Sequence, residues 1–139
     1  MKFRGKYGFL SNFYPCKIIA WGVEYPTAEH VYVATKTQNK QIRKNIANID
    51  TPGNAKRFGR TIDTYYDWET TKVMYMRKIL QRKFANEWLM KKLRAIEEEI
   101  IEHNTWHDNY WGACICDKCA RKKKKNMLGK LLMEIRDGD

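Results

Sequence analysis

The segment Tyr25-Pro26-Thr27-Ala28-Glu29-His30-Val31-Tyr32-Val33-Ala34-Thr35-Lys36 constrains the fold more than any other part of the chain. Pro26 ends an extended stretch, and the Thr27 hydroxyl is placed to accept from the first orphan amides of a helix. Inside that helix Glu29, Tyr32, Val33 and Lys36 fall at i, i+3, i+4 and i+7 and share one face. Helical side chains lean toward the N-terminus, which tilts Lys36 toward Glu29. An apolar stripe with a carboxylate at one end and an amine at the other is costly to bury. Such a face is either a buried salt bridge or a catalytic surface.

The remaining elements follow from local signals. Residues 16–20 and 23–25 carry β-branched side chains and flank Trp21-Gly22, the pattern of a small hairpin in which Gly22 supplies a positive φ. Residues 3–14, rich in Gly and aromatics, read as an ordered loop with short extended pieces. Ile42, Ile46 and Ile49 repeat at helical spacing over 41–48. Thr51-Pro52 restarts a helix that Gly59 stops. Trp68, Met76, Ile79, Leu80 and Phe84 mark a long amphipathic helix over 67–84, and Asn86 caps another whose buried side is Leu89, Leu93 and Ile96. Residues 97–102 fit a helix end or a short strand. The stretch 103–125 has no periodicity, and a loop of that length in a small domain is functional or held by something. A last helix spans 126–136, capped by Asn126, with Met127, Leu128, Leu131, Leu132 and Ile135 inward. Gly129 within it costs about 1 kcal/mol relative to Ala, which points to close approach of a backbone or a ligand. The expectation is a single domain over 1–139, mainly α, with a small N-terminal β-hairpin.

A chain of 139 residues with 43% hydrophobic and 13% aromatic content is long enough and apolar enough for a real core. No run approaches the roughly 18 apolar residues of a membrane span, and Met1 to Gly5 lack the apolar stretch of a signal peptide. A cytoplasmic protein without a membrane partner is expected. The net charge of +11, from 27 Lys and Arg against 16 Asp and Glu, favours anionic partners: phosphate-bearing metabolites, nucleic acid or both. Outside Lys122-Lys123-Lys124-Lys125 the excess is dispersed, which also suits a solvated surface.

Several residues have side chains suited to chemistry or binding. Gly8-Phe9-Leu10-Ser11-Asn12-Phe13 mixes aromatics with short polar groups, as in a pocket wall or a core plug. A lone histidine such as His30 is more often a satisfied structural residue than a catalyst, and no His-rich metal spacing accompanies it. Trp68 is a core anchor or a stacking platform. Asp108-Asn109-Tyr110-Trp111-Gly112 places an acid among aromatics in the aperiodic stretch. Cys114, Cys116 and Cys119 form C-x-C-x-x-C; in a reducing compartment such a cluster suggests structural zinc, with Cys16, His107 or His103 as fourth ligand, or simply reduced thiols. No Walker-type or dinucleotide-binding glycine loop, G-x-S-x-G or H-E-x-x-H occurs.

Tyr7-Gly8-Phe9-Leu10-Ser11-Asn12-Phe13, Tyr25-Pro26-Thr27-Ala28-Glu29-His30, Ala34-Thr35-Lys36, Ala55-Lys56-Arg57-Phe58-Gly59-Arg60, Asp67-Trp68, Lys83-Phe84, Asp108-Asn109-Tyr110-Trp111-Gly112 and Asn126-Met127-Leu128-Gly129-Lys130-Leu131-Leu132-Met133 span nearly the whole chain. In that order they resemble the NADAR (NAD and ADP-ribose associated) family, the YbiA-like N-glycosidases. The resemblance implies a YbiA-like helical domain that hydrolyses the bond between ribose and a base or amine. It implies two substrate classes: phosphorylated ribosylamino-pyrimidine intermediates of riboflavin biosynthesis, and ADP-ribose joined to a nucleobase such as guanine in DNA or RNA, the setting of phage–host conflict. The three-cysteine insert looks like a feature of viral members, which would place the protein in a host cytoplasm.

Carried over position by position, the resemblance implies Glu29, Lys36 and Asp108 as catalytic residues. Glu29 would stabilise charge on the sugar or deprotonate water. Lys36 admits a different route, attacking C1 to form a Schiff base, and the sequence does not choose between them. Asp108 would hold ribose hydroxyls or relay a proton. Trp68 and Phe9 would stack on the base, with Ser11, Asn12, His30, Trp111 and Gly112 also in contact with substrate. Charge and placement suggest Arg4, Arg60 and Lys130 as phosphate donors, and the start of the last helix at Asn126 and Gly129 suggests an anion site. No catalytic cofactor or metal is implied. Two readings compete: a non-catalytic module that binds ADP-ribose or NAD, and a basic nucleic-acid-binding domain with a structural zinc.

Overall fold

Two short β-branched stretches separated by two residues form an antiparallel hairpin in the computed structural model, which describes residues 1–138. β1 (Pro15–Ala20) pairs with β2 (Val23–Thr27), Ala20 lying opposite Val23. Trp21 and Gly22 make the turn with φ of 50° and 71°, the two positive values that suit the twist of the flanking strands. Glycine adopts this freely and tryptophan does not. The Arg43 guanidinium, 3.7 Å from the Trp21 ring centroid, adds a cation–π contact at that position.

Contacts gather the chain into two compact units, Asn12–Lys83 and Met1–Ser11 with the chain from Phe84 onward. The first unit holds the hairpin, α1 (Ala28–Ala34), α2 (Lys40–Ala47), α3 (Pro52–Gly59) and α4 (Trp68–Lys83). Thr27 and Thr51 accept from the amides of His30 and Asn54 at 3.2 and 3.1 Å, the caps their side chains predict. α1 ends at Ala34, so Thr35 and Lys36 occupy the turn beyond it, where the sequence suggests continued helix. Ile18, Tyr25, Val31, Val33, Ile46 and Ile79 form the unit's core. Each such burial is worth about 1.5–3 kcal/mol before entropy is counted.

The second unit contains a 3-10 stretch at Gly5–Leu10, α5 (Glu87–Arg94), β3 (His103–Asn104), β4 (Ala113–Cys114), a 3-10 turn at Asp117–Cys119 and α6 (Met127–Asp137). Asn86 caps α5 through the Leu89 amide at 3.1 Å. Leu89, Leu93, Leu128, Leu131 and Leu132 are buried, as the helical periods require. Residues 97–102 are neither helix nor strand. Buried Ile100 anchors them, and the Met1 ammonium donates to the Ile101 carbonyl at 2.8 Å. β3 and β4 pair in parallel, so the aperiodic stretch is folded back on itself. Among the described residues, no helix is long and apolar enough to cross a membrane.

Candidate functional site

In the first unit Glu29, Lys36 and Trp68 come together. Glu29 lies in the first turn of α1, 9% exposed, where the helix dipole favours a carboxylate. Its amide donates to the Asn12 carbonyl at 3.0 Å, so the end of the aromatic loop is tied to the acid. Lys36 is half-buried. Its Nζ lies 5.2 Å from the Trp68 ring centroid and 5.9 Å from that of Tyr32, and 3.4 Å from the Gly59 carbonyl. Burial pulls the Lys36 amine below the ordinary lysine range; the Glu29 and Glu69 carboxylates partly restore it, while Arg60 and Lys72 push it down again. The amine therefore lies over an aromatic floor and within the field of the acid.

Several supports of this arrangement have no signal in the sequence. Trp68 Nε1 donates to Thr35 Oγ1 at 3.1 Å, and the Tyr65 hydroxyl donates to the Thr35 carbonyl at 3.0 Å. The Tyr65 hydroxyl, raised to about 12 by burial and by Tyr75 beside it, stays protonated as a donor. Gly59 is less a helix stop than a point of close approach: a Cβ there would press on Val33 at 3.0 Å and lie 3.5 Å from Lys36 Nζ. Tyr32 is legible only as a member of the shared face.

Trp68, expected to stack on a base, is 6% exposed; Tyr32 and the Lys36 and Lys72 amines lie against it. His30 is fully buried, with Nδ1 2.6 Å from Thr27 Oγ1 and Nε2 3.0 Å from the Ile49 carbonyl. Both ring nitrogens are used within the fold, which replaces the expected substrate contact. Burial also lowers its pKa, so the ring is neutral at pH 7. Asn12 keeps a buried Oδ1 without a hydrogen-bond partner, its Nδ2 lying 3.6 Å from the Met76 sulfur. An orphan acceptor beside the Glu29 backbone fits a substrate contact. Arg60 is exposed and acts on Lys36 through its charge.

The second unit holds the other expected residues. Asp108 Oδ1 accepts from the Tyr110 and Trp111 amides at 3.0 and 2.9 Å, and its own amide donates to Asn104 Oδ1 at 3.2 Å. It shapes the turn that presents half-buried Trp111. Phe9, 3% exposed, packs edge-on to Phe84 with the Lys92 amine 4.6 Å from its ring, a core plug rather than an open stacking face. The Ser11 amide closes the 3-10 stretch on the Gly8 carbonyl at 3.0 Å. Arg4 and Lys130 are exposed.

The anion site expected at the start of α6 is not formed. The amides of Lys125, Asn126, Met127 and Leu128 donate to the carbonyls of Asn109, Gly112, Tyr110 and Trp111, which leaves these four with protein acceptors. Asn126 adopts a left-handed φ of 47° and makes no side-chain cap; its amide bridges to the Ile100 carbonyl and the Glu102 amide at 2.9 and 3.0 Å. The space beside Gly129 is filled by the Ile100 carbonyl and the Asn126 side chain, and that beside Gly112 by Glu102 and the Asn104 amide. All three are packed against protein neighbours in this structure.

The same unit gathers His107, Cys114, Cys116 and Cys119, whose ligand atoms lie within 4.8 Å of one another. This group could hold a metal ion. Of the three candidates for a fourth donor, His103 Nδ1 instead faces the Met1 amine at 2.6 Å, and Cys16 belongs to the other unit.

The NADAR domain model matches residues 2–138. N-glycosidase YbiA of Escherichia coli (strain K12) is 35% identical over 135 residues, covering 94% of this chain and 81% of that protein. An N-glycosidase of Nostoc punctiforme is 32% identical over 137 residues, covering 94% and 85%. A riboflavin biosynthesis protein of Vibrio vulnificus is 30% identical over 134 residues, 94% of this chain but 35% of its own length. The NMR structure of Escherichia coli YbiA superposes with a TM-score of 0.80 at 34% identity, over 98% of this chain and 82% of that one.

Proposed function

The chain belongs to the NADAR family and is a hydrolase of N-glycosyl bonds; from that premise we propose that it cleaves the ribose C1–N bond of a phosphorylated N-riboside, ADP-ribose joined to a nucleobase foremost. The observation that carries this reading is the Lys36 amine, drawn down by burial, lying over Trp68 and Tyr32 and coupled to Glu29. A desolvated amine is more often neutral and so nucleophilic near pH 7. The relatives named riboflavin biosynthesis proteins make a ribosylamino-pyrimidine phosphate the substrate to compare.

The chemistry balances without a cofactor. The Lys36 Nζ lone pair forms a bond to C1 as the C1–N bond breaks and its electron pair leaves on the base nitrogen. The proton shed by Nζ passes through Glu29 to that nitrogen. The C1–O4′ bond of the adduct then breaks, its electron pair and the remaining Nζ proton going to the ring oxygen, which leaves an open-chain C1=Nζ Schiff base. Water then adds at C1, and Glu29 takes its proton and passes it to Nζ. The C1–Nζ bond breaks as the C1 hydroxyl yields its proton to Nζ, so that the sugar departs as an aldehyde and the amine is restored. The Asn12 acceptor offers the substrate a hydrogen bond beside the acid. In the simpler alternative Glu29 activates the water directly and Lys36 supplies only charge.

An ADP-ribosylated guanine oligonucleotide tests the proposal, with release of free ADP-ribose as the readout. Glu29→Gln and Lys36→Ala are expected to lower turnover by about 10²-fold or more while substrate still binds. Borohydride added during turnover should fix a sugar adduct on Lys36 in the wild type, seen by mass. An active Lys36→Ala variant without an adduct would reject the Schiff-base route. Binding without turnover by the wild type, on both this substrate and the ribosylamino-pyrimidine phosphate, would leave a non-catalytic module.

A further inference from the structure

We propose that His107, Cys114, Cys116 and Cys119 bind one zinc ion that fastens the aperiodic stretch of the second unit. His107 Nδ1 lies 3.4, 3.8 and 3.4 Å from the sulfurs of Cys119, Cys114 and Cys116, and the Cys114 and Cys116 sulfurs are 3.3 Å apart. Zinc bonds of about 2.3 Å to sulfur and 2.0 Å to nitrogen give a tetrahedron with edges of about 3.4–3.8 Å. These four separations already lie near those edges, and all four ligand atoms fall within 4.8 Å of one another. The 3.3 Å sulfur separation is far from the roughly 2.05 Å of a disulfide.

Three further features converge on the same group. His107 has a φ of 68°, a left-handed conformation that is uncommon for any residue but glycine, though histidine, asparagine and aspartate adopt it more readily than most. That conformation accompanies an imidazole aimed at three sulfurs. The Cys119 amide donates to the Cys116 carbonyl at 3.1 Å, so a 3-10 turn folds the last two cysteines toward each other. Cysteines packed merely as small apolar side chains would not gather around a ring nitrogen.

Charge supports the assignment. Three thiolates, a neutral imidazole and Zn²⁺ leave one net negative charge, and the adjoining sequence is basic: Lys118, Arg121 and Lys122 to Lys125. The Lys124 amine donates to the Cys119 carbonyl at 2.5 Å and to the Lys122 carbonyl at 3.2 Å, closing the chain around the last sulfur. With four protein donors no coordination position is open to substrate, so the ion is structural. It would hold the segment directly following Asp108, whose carboxylate orders the Tyr110 and Trp111 amides.

The full chain, purified reduced and without chelator, is expected to contain about one zinc by elemental analysis. His107→Ala and Cys116→Ser should each lose most of it. Cobalt added to the stripped protein should give thiolate charge-transfer bands and the intense visible bands of a tetrahedral site, and zinc should bleach both. Stripping should lower Tm, and zinc should restore it. Reduced wild-type chain that takes up neither zinc nor cobalt would overturn the proposal, as would iron in place of zinc or full zinc content in His107→Ala. If the variants fail to fold, the cobalt spectrum of the wild type decides.

Discussion

Lys36 and Lys83 are amines of the same type placed in different surroundings. Lys36 is half-buried and lies within the field of two carboxylates, which moderate the effect of burial. Lys83, at the end of α4, is 1% exposed, with its Nζ 5.7 Å from the Tyr14 ring centroid; burial pulls it down from 10.5 to about 8, with Cys16 opposing. Between about 8 and 10.5 the unfolded chain therefore holds a proton that the folded chain has shed, and the free energy of unfolding rises with pH across that window. Below it both states are protonated, and the buried charge costs on the order of 3 kcal/mol. Lys83→Met keeps the length of the side chain and removes the titration. Urea unfolding at pH 7 and pH 10 should show the wild type gaining on this variant by up to about 3 kcal/mol as pH rises. A difference that stays constant would show that Lys83 titrates normally.

At the scale of elements, what could be read from the sequence was local. The hairpin follows from two β-branched runs and a two-residue turn, and α1, α3 and α5 follow from Thr27, Thr51 and Asn86, because turns and caps involve neighbours within four residues. Glu29 and Lys36 are legible for the same reason, one helix face. What was not legible depends on partners distant in sequence. The parallel pairing of β3 with β4 has no periodic signature, and nothing local says that Asn126 reaches Ile100 and Glu102 instead of capping its own helix. Gly129 announced close approach of a backbone or a ligand, and it is a backbone, the Ile100 carbonyl far along the chain, that comes close. Gly129→Ala thus sets helix propensity, worth about 1 kcal/mol in favour of Ala, against a methyl group with no room. The clash is with backbone, which yields less than a flexible side chain. A net loss of about 2 kcal/mol is expected, measured as a lower urea midpoint with unchanged slope. A variant as stable as wild type would mean that the 100–102 segment can move aside.

For the whole molecule the surplus of +11 distinguishes the two substrate classes by their response to salt. A base modified within a polynucleotide presents several flanking phosphates, and each one neutralised by Lys or Arg releases condensed counterions. The binding constant of a single strand then falls with salt to a power of about 0.7 per phosphate contacted. With about three such contacts, a fourfold rise in salt weakens binding by about twentyfold. A free ribosylamino-pyrimidine phosphate has no flanking strand, and its dependence should be about two- to threefold, reflecting screening of its own charge. If polynucleotide is the physiological carrier, KM for an ADP-ribosylated oligonucleotide should therefore climb steeply between about 50 and 200 mM KCl, with kcat unchanged because the bond-breaking groups are buried from the salt. Shortening the oligonucleotide to the modified nucleotide alone should flatten the slope. Equal, shallow slopes for both substrates would assign the dispersed lysines to solvation and return the small phosphate as the better candidate.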